Sequence, residues 1–252
     1  MDDSVIVGKG STAAYAGITG RRRERLFYTG MAVAFVITVF VGFAPTYYLR
    51  PYFDSRPLML LLHLHGAVFT SWLVLFLTQN ILVAANRTRI HRRLGIVGAV
   101  IAVLLVIVGT LTAIIRTKQN VVLTGGTAPL TFLVIPLGDM LLFASLVGAG
   151  FYFRRRPDVH KRLMLLATIS ILSAAIARLP FGFLKAGPPA FFGLTDLFIV
   201  ACLLYDLITR RRIHRATALG GLAIIISQPL RLMIGSTHAW IAFATWLTQL
   251  TA

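Results

Sequence analysis

LMLLLHLHGAVFTSWLVLFLTQNILVAANRTRIHRRLGIVGAVIAVLLVIVGTLTAII, residues 58 to 115, decides the fold. Two long apolar runs flank a connector, Asn86 to Arg93, that is crowded with arginine and holds one histidine. Each run is long enough to cross a hydrocarbon core of roughly 30 Å at about 1.5 Å per residue. No water is present there, so every backbone amide must find its partner within its own segment, and such runs fold as helices. The alternating polar and apolar residues of a membrane β-barrel strand are absent.

The pattern repeats along the chain. Apolar runs at 26–48, 58–84, 94–115, 129–153, 163–183, 191–209 and 216–234 predict an all-α polytopic membrane bundle of seven spans. Three regions follow: a basic N-terminal tail over 1–25, a membrane domain over 26–235, and an apolar tail over 236–252. The last either prolongs the seventh helix or lies along the outer interface, where its Trp residues are favoured. Composition agrees, with 57% hydrophobic and 13% charged residues against about 25% charged in soluble domains. That is too little charge to cover a water-facing surface.

The net charge of +17 is unevenly placed. Seventeen Lys and Arg lie in four clusters, Arg21 to Arg25, Arg87 to Arg93, Arg154 to Arg162 and Arg210 to Arg215, against five in the intervening loops (Arg50, Arg56, Arg116, Lys118, Lys185). Positive charge marks the cytoplasmic side, so the chain is expected in a cell membrane with its N-terminus in the cytoplasm. The bilayer is the expected surrounding, with other membrane subunits or further copies as possible neighbours. No soluble domain exists to present a groove to nucleic acid. The single Cys202 excludes an internal disulfide and reads as a small buried hydrophobe. The opening residues are polar and basic and do not read as a cleavable signal.

Polar groups inside a membrane are costly and therefore informative. In the second span His65, Phe69, Trp72, Phe76 and Gln79 follow helical spacing and form one inward stripe. His63 points roughly 160° away from His65. His65, with His63, is a candidate metal or haem ligand; the alternative is a hydrogen bond between helices. In the fifth run His160, Met164, Ala167, Ile171, Ala174 and Arg178 share a face, which places a histidine at the inner boundary and an arginine near the outer one. Arg178 and Arg231 are expected near the outer end, with Asp139 and Asp196 as counter-charges; the sharper reading is that the arginines hold an anionic ligand, such as a carboxylate or a haem propionate. Asp206 precedes Arg210 by four residues and reads as a local pair. His91, His160 and His214 sit at the inner boundary, where they either face lipid phosphates or, for His91 and His160, supply one ligand each to a cofactor. His238 is expected at the outer side. No phosphate loop, HExxH pair or nucleophile elbow is present.

The segments HLHGAVFTSWLVLFLTQNILVAANRTRIHRRLG and PDVHKRLMLLATISILSAAIAR resemble an uncharacterised family of bacterial multi-pass membrane proteins over about half of the chain. Histidines at both ends of the bundle give a more distant likeness to the transmembrane diheme cytochromes b, which implies haem b on paired histidines. This chain departs from that pattern, because its fourth span carries no histidine and its inner histidines sit at the boundary. Three functions follow: a redox protein binding haem b or a transition metal, a transporter or binder of a small anion through Arg178, Arg231, Asp139 and Asp196, and an accessory subunit of a larger membrane complex.

Overall fold

The structure, a computed structural model, describes residues 6–54 and 57–250; for residues 6–19 and Arg21 it describes the backbone only. Arg56, the side chain of Arg21, and the tail ends 1–5 and 251–252 lie outside the described residues.

The described residues form helices, turns and short connectors, without a strand. The elements are α1 (Ile6–Phe43), α2 (Leu60–Ala84), α3 (Thr88–Thr124), α4 (Ala128–Phe132), α5 (Val134–Tyr152), α6 (Pro157–Ser170), α7 (Ser173–Ile176), α8 (Pro188–Arg210), α9 (Arg215–Gly235) and α10 (His238–Gln249). Together they give seven segments long and apolar enough to cross a membrane. The chain is a multi-pass membrane protein with an all-α bundle. Helix α5 is central and packs against α3, α6 and α9. Phe35, Phe143, Leu165, Leu166, Ile169, Ile199 and Ile224 fill the interior. Ile96, Val103, Leu141, Ile208, Leu219 and Met233 stay exposed. In lipid an apolar outer surface carries no penalty, and tight packing rather than water exclusion joins the helices.

Three elements depart from the sequence reading. The polar stretch RTKQNVVLT, expected as a loop, continues α3 to Thr124 and ends at Gly125, whose φ of 66° closes the helix in the left-handed region. Arg, Lys and Gln are good helix formers and extend a helix past the lipid boundary. The tail after Gly235 does not prolong α9. Thr237 is extended, with φ −79° and ψ 147°, and its hydroxyl accepts from the Trp240 amide to start α10. Trp240 Nε1 donates to the Leu130 carbonyl at 3.0 Å, and Ala244 packs on Leu130 and Leu133, so the tail folds back onto α4.

The fifth span is the third departure. Helix α6 stops at Ser170, α7 spans four residues, and a 3-10 turn, Gly182–Ala186, follows. The unbroken face from His160 to Arg178 therefore does not form. Ser170 Oγ bonds the Ala167 carbonyl at 2.8 Å, which competes with the helical ladder. Ser173 Oγ turns inward to Asp139 Oδ2 at 2.8 Å. Pro180 disfavours helix at the residue before it.

Candidate functional site

Two buried ion pairs frame the interior. Arg231, only 5% exposed, donates from Nη1 to Asp139 Oδ1 at 2.5 Å and to the Ile135 carbonyl at 3.0 Å. Its alkyl chain lies against Gly138, where a Cβ would collide with it. Arg162 pairs with Asp206, whose Oδ2 also accepts from Thr217 Oγ1 at 2.6 Å and from the His214 amide at 3.1 Å. Asp206 thus ties α6, α8 and α9 together. The local pair with Arg210 is not what forms: Arg210 approaches Asp158 at 3.7 Å instead. Asp196 is not a counter-charge to an arginine either, because its carboxylate accepts from Gln228 Nε2 at 2.7 Å.

Between these pairs and the end remote from the basic loops lies a cavity of about 390 Å³. Irregular backbone builds much of its wall. At the end of α1, Ala44–Tyr48 winds as a π-helical turn. Tyr48 Oη shares a hydrogen bond with Thr70 Oγ1 at 2.7 Å, and the Tyr47 ring covers Gly66, where any Cβ would strike it. Gly42 lets α1 approach the Ala175 carbonyl so closely that a Cβ has no room. The break between α6 and α7 supplies Ile171, Leu172, Ala174 and Ala175.

Arg50, Arg116, Arg178 and His65 bring polar groups to this wall, and Asp139 closes its deep side. The Asp139 carboxylate is already taken by Arg231 and Ser173. Arg50 pairs with Asp54 at 2.8 Å. Arg116 donates to Gln119 Oε1 at 2.9 Å. Arg178 lies over the Phe43 ring at 4.7 Å and donates to the Ala174 carbonyl. Arg178 and Arg116 form no ion pair with any carboxylate among the described residues. His65 stacks on Phe69 at 4.1 Å, and its Nδ1 is buried without a hydrogen-bond partner.

The predicted stripe of α2 does face inward: Trp72 and Phe76 are buried, and Trp72 Nε1 donates to Thr168 Oγ1 at 3.3 Å. His63 is exposed beside Tyr47, with ring centres 6.0 Å apart, so it and His65 do not converge on one point. His238 is exposed. Among the described residues no three His, Cys, Asp or Glu side chains gather as a metal-binding group. The inner histidines His91 and His160 do meet, with ring centres 6.4 Å apart. His214 stands apart from them, and its Nδ1 accepts from the Ala216 amide at 3.1 Å to cap α9. The sequence reading passed over Arg50 and Arg116 as loop charges; their position after the first span and at the end of the third was the available signal.

No family model, curated protein or solved structure matches this chain.

Proposed function

We propose that this chain is a bacterial inner-membrane protein that binds, and through its broken fifth span carries, a small amphipathic organic anion in the outer cavity. One observation carries the reading. Arg162 and Arg231 each have a dedicated carboxylate, whereas Arg178 stands at the cavity wall with none. A guanidinium in that setting offers a planar fork suited to a carboxylate or phosphate. Phe43, Phe69, Leu62 and Ile171 supply the apolar part of the same wall. The volume falls within the range of about 300–1,000 Å³ typical of small-molecule sites. Interrupted membrane helices that expose backbone toward a cavity are the common construction of carrier sites, and π-helical turns recur at functional sites.

The probe for this reading is octanoate, a carboxylate on an apolar chain. Titration calorimetry on the purified protein should show saturable binding that weakens at least tenfold in Arg178→Gln, about 1.4 kcal/mol. Equal affinity in the variant, or no binding by either protein, contradicts the reading.

A second reading rests on the unpartnered His65 Nδ1 in the same wall. There the cavity holds haem b, with His65 on the iron and the arginines on the propionates. A Soret band that disappears in His65→Ala is the result expected of it; a colourless protein after expression with excess haem precursor removes it.

A further inference from the structure

We infer a second site at the opposite end of the bundle: a late first-row transition metal ion held by His91 of α3 and His160 of α6, with the Gln79 carboxamide of α2 beside them. His160 Nδ1 lies 2.8 Å from the Gly150 carbonyl. A nitrogen so placed carries the proton and donates it, which leaves Nε2 as the electron-pair donor. Metal-bound imidazoles are commonly oriented in this way, through a carbonyl on the other ring nitrogen. His91 Nδ1 is buried and has no hydrogen-bond partner. The two ring centres are 6.4 Å apart with planes at 79°. Two imidazoles on one tetrahedral ion, through bonds of about 2.0–2.1 Å, have ring centres roughly 5 Å apart, so loading draws the two rings together by about 1 Å.

Gln79 adds the third donor. Its Nε2 donates to the His91 carbonyl at 3.2 Å, and its Oε1 is buried and unpartnered. Two unsatisfied polar atoms thus sit at one helix junction, where each alone is destabilising. An ion satisfies both at once. The donor set chooses the ion. Calcium and magnesium need several oxygen ligands, usually carboxylates, and neither imidazole nor a lone amide meets that demand. Imidazole favours zinc, copper and nickel. The arginines flanking His91 disfavour weakly held cations and leave room only for one that binds neutral imidazole strongly. The site joins the start of α3 to the start of α6 and is separate from the outer cavity.

The test uses the full chain, purified in detergent through a tag free of histidine and stripped with chelator. Zn²⁺ is then added, excess is removed, and bound metal is measured by mass spectrometry. One ion per chain is the expected stoichiometry, falling to background in His91→Asn and in His160→Gln. Substitution of His63, His65, His214 or His238 should leave it in place. Gel filtration of each variant separates loss of metal from loss of fold, and the conservative His160→Gln keeps a polar side chain on the Gly150 side. The proposal is overturned if the wild type retains no zinc, or if the ion survives the double substitution. A Soret band removed by these same two substitutions also overturns it, in favour of haem iron.

Discussion

Arg178 and Arg231 look alike along the chain, each in an apolar run with a proline close by. What separates them is the neighbour across the bundle. Arg231 meets Asp139, 92 residues earlier; Arg178 meets an aromatic ring and a backbone carbonyl. Removing one member of a buried pair strands the other and costs about 3–5 kcal/mol. Arg231→Gln and Asp206→Asn are therefore expected to lower the melting temperature sharply in detergent, whereas Arg178→Gln should leave it nearly unchanged and act on anion binding alone. His214 adds a pH-dependent case. Burial and the nearby Arg162 and Arg210 hold its imidazole below the ordinary range, which keeps Nδ1 free to cap α9. A depressed folded pKa means that the stabilisation is present above the ordinary imidazole pKa of about 6.5 and is lost as pH falls. His214→Ala should cost about 1 kcal/mol at pH 8, and the difference in melting temperature from wild type should shrink toward pH 5. The sequence pointed to His65, Asp139, Arg178 and Arg231 because each interrupts an apolar run. It named Asp139 and Asp196 as counter-charges to the two arginines, and Arg231 does meet Asp139, but it could not say which carboxylate meets which arginine, since partners lie dozens of residues apart. Asp206 shows the trap: Arg210 stood at helical spacing, yet Arg162 on another helix took the carboxylate.

At the scale of elements, hydropathy located the membrane crossings well. The sixth run, read as 191–209, folds as α8 over Pro188–Arg210, and the seventh, read as 216–234, as α9 over Arg215–Gly235. The rest was hidden because hydropathy reports lipid contact and not backbone path. The α6–α7 break depends on Ser170 and Ser173 turning to local and distant acceptors, and the π turn of α1 depends on where Tyr47 and Tyr48 land. These irregular stretches shape the cavity together with the inner faces of α2, α3 and α5. Gly42 is the hinge of that arrangement, because α1 touches the Ala175 backbone there. Gly42→Val should push α1 from α7, lower the melting temperature and weaken octanoate binding together, in contrast to the selective loss in Arg178→Gln. A variant with wild-type affinity would show that this contact does not shape the site.

The whole molecule has two chemically distinct ends. One gathers the arginine clusters, the Arg162–Asp206 tie and the His91–His160 pair; the other opens the arginine-lined cavity. The positive-inside rule predicts that the first faces the cytoplasm, and the proposed function then has the cavity opening outward. That orientation is most directly tested by labelling intact cells with a membrane-impermeant maleimide. With Cys202→Ser as background, Ala174→Cys at the cavity wall and Arg155→Cys in a basic loop place one thiol at each end. Labelling of residue 174 from outside, and of residue 155 only after the membrane is permeabilised, is the expected result; labelling of residue 155 in intact cells with residue 174 protected would contradict it.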